Sequence, residues 1–156
     1  MREIRREAIV PHSAAQMFEL IERVEEYPQF LPWCLRTELI ARSESMVSAT
    51  VHVGVRDLNV RVTTLNEKRA PESMTIKMDG GSFRHFHGEW SLRPLGDRGC
   101  HVVFSLQYEL ALHADQLAGR LIDGAADRMV DAFVRRAEAA FGSAQSEGPE
   151  ANAAST

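Results

Sequence analysis

The chain has few cysteines, no excess of basic residues and no long apolar run. Its two cysteines, Cys34 and Cys100, are too few and too far apart for a disulfide framework or a zinc knuckle, which favours a reducing, cytoplasmic compartment. A formal net charge of −4 and a pI near 5.9 are atypical of proteins that neutralise phosphates over a broad surface. The composition therefore argues against DNA as a partner.

No stretch approaches the roughly 18 to 20 apolar residues of a membrane span. Residues 1–7 carry charge without the apolar core of a signal peptide, so we expect neither export nor membrane insertion, whereas peripheral contact with the inner membrane stays open. The hydrophobic content of 44% is enough for one globular core. Because no large apolar side chain follows Phe141, the sequence predicts one domain over residues 1–141 and a disordered tail over residues 142–156.

The N-terminal section predicts a strand followed by a helix. Residues 2–10 alternate weakly in hydrophobicity. Ser13 and Gln16 have the spacing of a capping box, and apolar residues follow at helical intervals. Because proline disfavours helical geometry in the residue before it, we expect this helix to end at the boundary between Tyr27 and Pro28.

From residue 34 to residue 110 the hydrophobic period becomes two, as in strands with one buried face. Breaks with turn chemistry fall at residues 67–72, 79–81 and 96–99. The short spacings leave no room for intervening helices, which favours a six-stranded antiparallel meander.

An apolar stripe at helical spacing predicts one long C-terminal helix over residues 115–141. Gly119 and Gly124, with Ala118, Ala125 and Ala126, thin its middle, although each glycine costs about 1 kcal/mol relative to alanine. A slim helix either packs very close to the sheet or leaves a hollow. Because a twisted sheet curves away from a straight helix, we favour an internal hydrophobic cavity.

The wall of that cavity would come from inward-facing side chains, although a dry, packed core would use the same residues. Tyr108 has the inward parity of the last strand and is the preferred polar contact for a ligand. Thr63, His52 and Arg61 have the opposite parity and are expected to face water. The candidate ligand-binding residues are Phe30, Trp33, Val51, Val53, Val60, Val62, Ile76, Phe86, Trp90, Phe104, Leu106, Tyr108, Ala125, Met129 and Phe133.

Residues 27–34 read Tyr-Pro-Gln-Phe-Leu-Pro-Trp-Cys, an aromatic turn that suits either a packed elbow or the lip of an apolar pocket. This block resembles the coenzyme Q-binding START-domain family, which includes the bacterial RatA proteins, and the likeness covers residues 2–141. Residues 59–64 fit the family's aromatic and threonine-rich strand only loosely. Further resembling segments are Val-Pro-His-Ser at 10–13 through Met-Phe at 17–18, Asp-Gly-Gly-Ser-Phe at 79–83, Gly-Glu-Trp at 88–90, Cys100 and Met-Val-Asp-Ala-Phe-Val-Arg-Arg-Ala at 129–137.

The resemblance implies an α+β helix-grip fold of the wider polyketide cyclase and lipid-transfer superfamily. In this fold a curved antiparallel sheet wraps around a long C-terminal helix and encloses a hydrophobic cavity. The resemblance also implies a polyprenyl quinone such as ubiquinone, or another lipid, as ligand, and a role in respiratory electron transfer as a carrier or chaperone. The resemblance also implies an alternative function, in which the protein is a ribosome-association toxin that binds the large ribosomal subunit and blocks subunit joining.

A cyclase or dehydratase is the third hypothesis, and the sequence gives it little support. His85, His87 and Glu89 lie on one face of a strand and are metal-ligand types, but that face is expected to be in solvent. Nothing close to Cys34 or Cys100 in sequence would lower a thiol pKa, so both are expected to be buried thiols. We therefore predict no enzyme activity, no catalytic residue, no metal site and no cofactor other than the lipid ligand.

Basic residues at two places in the sequence bear on the ribosomal alternative. Arginines at positions 2, 5 and 6 on the first strand, with arginines at 128, 135 and 136 on the last helix, could form one basic patch. The same residues are equally expected on an ordinary solvated face, paired with Glu3, Glu7 and Asp131.

Overall fold

The computed structural model describes residues 1–111 and 116–142, without the side chains of residues 116 and 117. One seven-stranded sheet in the order β1-β7-β6-β5-β4-β3-β2 carries the helices. Every pairing in it is antiparallel, which confirms the predicted meander. The strands are β1 Arg2–Val10, β2 Cys34–Arg42, β3 Met46–Val55, β4 Leu58–Arg69, β5 Ser73–Gly81, β6 Phe83–Pro94 and β7 Cys100–Leu110, and the helices are α1 Ala14–Glu22, α2 Gln116–Asp127 and α3 Met129–Phe141.

The predicted start of the first helix is confirmed, whereas its predicted end is wrong. The side chain of Ser13 accepts a hydrogen bond from the backbone N–H of Gln16, and the Gln16 side chain accepts one from the Ser13 N–H, which completes the capping box. Helix α1 ends at Glu22, five residues before the expected boundary at Tyr27. A 3₁₀ helix over Val24–Gln29 follows and contains Pro28, because its tight turns accept the fixed φ of proline.

Two of the predicted turns are displaced. Strand β4 continues to Arg69 and pairs with the start of β5, so the turn is confined to residues 70–72. Residues 79–81 remain in β5 because Gly80 and Gly81 adopt φ of 129° and 124° at an irregularity in the register with β4. A Cβ at Gly81 would lie 2.4 Å from the carbonyl oxygen of Arg61, so the strands meet there only because this residue is glycine.

The C-terminal helix, predicted as one long helix, is divided into two. Helix α2 ends at Asp127 and α3 begins at Met129, with Arg128 between them at φ −94° and ψ 1°. The N–H of Arg128 bonds to the carbonyl of Ala125, three residues back, and this tight turn breaks the α-helical ladder. The predicted first residue of the helix, Asp115, and residues 143–156 of the predicted tail lie outside the described residues.

The two glycines of α2 do not create a hollow. A Cβ at Gly119 would lie 2.8 Å from the guanidinium group of Arg2, so this glycine permits close packing against β1. At Gly124 a Cβ would have no described atom within 4 Å, yet this residue does not line the interior cavity. Close packing is therefore the correct alternative at Gly119, whereas Ala125 and Ala126 of the same slim section line the cavity.

The aromatic turn before β2 packs onto α3. Phe133, only 1% exposed, lies at the centre of this contact, with ring centroids 5.4 Å from Tyr27, 5.0 Å from Phe30 and 5.0 Å from Trp90. All three contacts have the edge-to-face geometry that favours aromatic pairs. The turn is thus a packed elbow, and its last aromatic residue, Trp33, reaches the cavity described next.

A candidate ligand cavity beneath the C-terminal helices

A cavity lies between the concave face of the sheet and the junction of α2 and α3. Ile122, Ala125 and Ala126 of α2 contribute to its wall, as do Met129 and Phe133 of α3. The aromatic turn and five strands from β3 to β7 supply most of the remainder. These other lining residues are Val24, Tyr27, Leu31, Trp33, Cys34, Val51, Val53, Val62, Thr64, Asn66, Ile76, Phe83, Phe86, Trp90, Phe104 and Leu106.

Most of the residues predicted to bind a ligand line this cavity, although lining alone does not test binding. Three of the predicted residues do not line it: Phe30, Val60 and Tyr108. Phe30 packs against Phe133 instead, because the 3₁₀ helix turns its ring toward α3. The predicted residues that line the cavity are Trp33, Val51, Val53, Val62, Ile76, Phe86, Trp90, Phe104, Leu106, Ala125, Met129 and Phe133.

Tyr108, the preferred polar contact in the sequence, is already engaged by the protein. Its hydroxyl lies 2.6 Å from Oδ1 of Asp123 and 2.8 Å from the carbonyl oxygen of Gly119. Nη2 of Arg2 lies 2.6 Å from the other oxygen of Asp123. Burial and the neighbouring carboxylate raise the pKa of Tyr108, so the hydroxyl keeps its proton and donates it within the protein. In this arrangement Tyr108 joins β7 to α2 and does not serve as a ligand anchor.

The other polar candidates face away from the cavity, as their parity predicted. Thr63 pairs with Thr50 across β3 and β4, with 2.7 Å between their Oγ1 atoms. His52 lies 3.1 Å from Glu38 on the same outer face. Arg61 is exposed. None of these residues is among those that line the cavity.

Two polar residues that the sequence reasoning did not select, Thr64 and Asn66, line the cavity from β4. Both are 5% exposed and share the inward parity of Val60 and Val62. No hydrogen-bond donor of the described residues reaches Oδ1 of Asn66. The alternation of β4 continues past Val62 and places both residues inward, but a hydrophobic pattern does not mark polar side chains.

An ion-pair network lies next to these polar residues. Nζ of Lys68, the next inward position of β4, lies 2.7 Å from Oε1 of Glu22, and the Lys68 side chain is only 6% exposed. Arg42 of β2 joins the same network through Glu22 at 3.3 Å and Glu25 at 2.7 Å. The hydrogen bond from Arg42 lowers the pKa of Glu25. This network fastens α1 and the 3₁₀ helix to the edge of the sheet.

The size of the cavity limits what it holds without movement. Its volume is about 120 Å³, whereas pockets for drug-sized ligands span about 300 to 1,000 Å³. An engineered apolar cavity of about 150 Å³ in another protein admits benzene. The space therefore suits one ring-sized group, and a longer ligand must extend outward or displace side chains. Half-buried lining residues such as Trp33, Val53 and Phe86 mark the accessible side.

The chemistry of the wall is apolar and without an evident acid or base. None of its described lining side chains is a carboxylate or an imidazole. The two cysteines are free and buried, as predicted, and burial raises the pKa of both thiols to about 11. Cys34 touches the cavity, but it is protonated at neutral pH and is a poor nucleophile.

The alternative metal ligands and the basic patch are not assembled as sites. Within residues 1–111 and 116–142 no three potential metal-binding side chains come together, and that includes His85, His87 and Glu89. The arginines of the proposed patch are largely paired with acids: Arg2 with Asp123, Arg5 with Glu7, Arg6 with Asp127 and Arg136 with Glu26. Pairing at these positions leaves little unbalanced positive charge.

In the part of the chain that the structure describes, no helix combines the length and the apolar character that crossing a bilayer requires.

Comparison with known proteins identifies a matching family and several related proteins. A family profile described as polyketide cyclase / dehydrase and lipid transport matches residues 10–134. The ribosome association toxin RatA of Pseudomonas aeruginosa is 34% identical over 140 residues, which cover 89% of this chain and 97% of the relative. Coenzyme Q-binding protein COQ10 homolog B of Xenopus laevis is 27% identical over 144 residues, with 86% of this chain and 57% of the relative covered.

A solved structure supports the same placement. A START superfamily protein from Mycobacterium smegmatis superposes with a TM-score of 0.75 at 19% identity, covering 89% of this chain and 99% of the other. At this identity the likeness shows the fold alone. It confirms the predicted α+β helix-grip class, with the correction that the gripping helix is divided at Arg128.

Proposed function

The chain belongs to the polyketide cyclase / dehydrase and lipid transport family, and from that premise we propose that its cavity binds an apolar ligand with a ring-sized head, a polyprenyl quinone being the favoured example. In this proposal the protein carries or chaperones the quinone and so supports respiratory electron transfer. The cavity would hold the ring, and the isoprenoid tail would leave on the side of Trp33.

The apolar wall is the observation that carries this proposal. Aliphatic and aromatic side chains form nearly all of it, and its polar side-chain atoms come from Thr64, Asn66, Tyr27, Cys34 and the indole N–H groups of the two tryptophans. The hydroxyl of Tyr27 donates to the carbonyl of Ile21 and is satisfied. Burying apolar ligand surface against such a wall contributes about 25 cal/mol per Å². The coenzyme Q-binding name of the Xenopus laevis relative supports quinone over other apolar ligands.

We propose binding without catalysis. A cyclase or dehydratase needs an acid or base beside its substrate, and the described lining residues offer only two satisfied or protonated groups, Tyr27 and Cys34, besides the neutral Thr64 and Asn66. The family description includes cyclases and dehydrases. In our proposal this chain differs from those enzymes because its cavity wall offers no acid or base for catalysis.

A second candidate is association with the ribosome. Its support is the relationship to the Pseudomonas aeruginosa toxin, which extends over 89% of this chain. The acid pairing of Arg2, Arg5, Arg6 and Arg136 leaves the exposed Arg128 and Arg135 as the better candidates for contact with phosphates. Sedimentation with purified ribosomal subunits at two salt concentrations tests this, because contacts to phosphates weaken steeply with salt. Absence of co-migration at low salt would remove the candidate.

Organic extraction and mass spectrometry test the primary proposal. Full-length protein purified from quinone-producing cells should carry a polyprenyl quinone, and Ala125→Leu, which fills the cavity, should remove it. Arg135→Ala is the control, because this exposed residue should matter to ribosome association and not to the ligand. Wild-type protein that carries no more lipid than Ala125→Leu would contradict the proposal.

A further inference from the structure

We propose that Asn66 anchors the head group of the ligand and selects ligands that donate a hydrogen bond. The chemical class is an apolar molecule with a hydroxyl on its ring, such as an alkylated phenol or hydroquinone. This inference rests on the proposed function of the cavity and adds the identity of the contact that orients the ligand.

The burial of Asn66 carries the inference. The residue lies in an interior strand, where it is paired with Val47 of β3 and Ile76 of β5. It is 5% exposed and lines the cavity, and no donor of the described residues reaches its Oδ1. Buried polar groups in native proteins are nearly always paired, so an unpaired acceptor in a cavity wall indicates a partner that arrives from the cavity.

The type of atom left unpaired decides the chemistry of the ligand. Oδ1 of Asn66 is an acceptor, and it can be satisfied only by a group that donates. A quinone carbonyl and an ether oxygen accept hydrogen bonds and do not donate them, whereas a phenol or hydroquinone donates through its hydroxyl. Of a quinone and its hydroquinone, this oxygen of Asn66 can therefore bind only the reduced member.

The polarity along β4 sets the direction in which the ligand lies. The inward side chains change from Val60 and Val62 to Thr64 and Asn66, and then to Lys68 in its ion pair with Glu22. Thr64 adds a hydroxyl on the same face as Asn66. A ligand with its hydroxyl toward Asn66 keeps its ring against the apolar wall. Its tail then points toward the valines and the half-buried side of the cavity.

The neighbouring side chains do not offer Asn66 an alternative partner. Val47 is fully buried and Ile76 is half-buried, and both are aliphatic. Nζ of Lys68 is engaged by Glu22 at 2.7 Å. Trp90 and Phe104, whose ring centroids lie 4.7 Å apart, also line the cavity, and the indole N–H of Trp90 does not reach Oδ1 of Asn66. A donor for Oδ1 must therefore come from outside this set.

Three ligands of nearly equal shape test the inference with the full-length protein. Isothermal titration calorimetry should be done with 4-pentylphenol, with its methyl ether 4-pentylanisole, and with pentylbenzene. The phenol donates a hydrogen bond, the ether only accepts one, and pentylbenzene does neither. We expect the wild-type protein to bind the phenol about tenfold more tightly than the ether, as one neutral hydrogen bond predicts.

Asn66→Leu should remove that preference and leave the affinity for pentylbenzene unchanged or higher. Asn59→Leu is the matched control, because it makes the same change at an exposed position of the same strand and should keep the tenfold preference. Asn66→Ala, which removes the amide without adding apolar bulk, gives the same test should the leucine variant fold poorly.

The outcomes separate this inference from the function on which it rests. Equal affinity of the wild-type protein for phenol and ether would overturn the role of Asn66, and so would a preference that survives both Asn66 variants, as when only an ordered water satisfies the amide. In those cases binding itself would stand. If none of the three compounds binds, the result contradicts both the proposed function of the cavity and the anchoring role of Asn66.

Discussion

The hydroxyl of Tyr108 lies 2.6 Å from Oδ1 of Asp123, which joins the last strand of the sheet to the helix over the cavity. Arg2 of the first strand binds the other carboxylate oxygen, so three separate elements meet at one acidic side chain. Because α2 contributes Ile122, Ala125 and Ala126 to the cavity wall, this contact positions the roof of the candidate site.

Asp123→Asn should destabilise the protein in a pH-dependent way. Burial raises the pKa of Asp123, but hydrogen bonds from Arg2 and Tyr108 outweigh it, so the pKa lies below the ordinary 3.8. A lowered carboxyl pKa stabilises the fold fully above the ordinary value, and the stabilisation is lost as the pH falls through the folded value. We expect urea unfolding to show a loss of about 1 kcal/mol at pH 7 that shrinks below pH 4.

Asp79→Asn is the control for this measurement, because Asp79 is exposed on β5. It should change the free energy of unfolding by less than about 0.5 kcal/mol at every pH. A loss for Asp123→Asn that is the same at pH 3 and pH 7 would show that the charge of Asp123 is not involved.

Ala125→Leu should block ligand binding without unfolding the protein. Ala125 is half-buried and lines the cavity from α2, so a larger side chain there occupies part of the 120 Å³. Leucine is also a good helix former. We expect calorimetry to show affinity for pentylbenzene reduced at least about tenfold, the equivalent of about 1.4 kcal/mol. Ala139→Leu, on the exposed face of α3, should leave that affinity unchanged.

Asn66→Leu should stabilise the ligand-free protein. An unpaired buried acceptor costs about 1 to 3 kcal/mol, and leucine has nearly the shape of asparagine without its polar atoms. We expect thermal or urea unfolding to report a gain of about 1 kcal/mol, against a change within about 0.5 kcal/mol for Asn59→Leu. A clear loss of stability for the Asn66 variant would mean that the amide is paired in the folded protein.

Phe133→Ala should be among the most destabilising single changes. The ring is 1% exposed and contacts Tyr27, Phe30 and Trp90, so its removal leaves a void between the aromatic turn and the sheet. Such truncations cost about 3 to 5 kcal/mol. Denaturant unfolding should show this loss, and Phe141→Ala, at a half-buried position of the same helix, should cost less.

The order of the elements was predictable from the sequence because hydrophobic periodicity and capping are local signals. Ser13 and Gln16 are three residues apart and form the predicted capping box. Most of the cavity wall was predictable as well, since parity along a strand fixes which face a side chain takes. Periodicity also supplied the α+β class, and the residue-level resemblance around Trp33 added the named helix-grip fold of the family.

The errors concern features decided by contacts distant in sequence. The break of the C-terminal helix at Arg128 carries no proline or glycine at that position, so no local signal marked it. Tyr108 has the correct parity, but its partner Asp123 is fixed only once α2 packs on the sheet. Thr64 and Asn66 were overlooked because polar side chains are ordinarily placed outside, whereas in a ligand cavity a few of them belong inside.

Tryptophan fluorescence gives the most direct test of the central claim, because both tryptophans of the chain, Trp33 and Trp90, line the cavity. The full-length protein should be titrated with 2-decyl-1,4-benzoquinone, whose ring quenches nearby indoles. We predict saturable quenching that ends at one equivalent of quinone and is largely lost in Ala125→Leu. Quenching that rises linearly without saturation, and equally in both proteins, would contradict a ligand-binding interior.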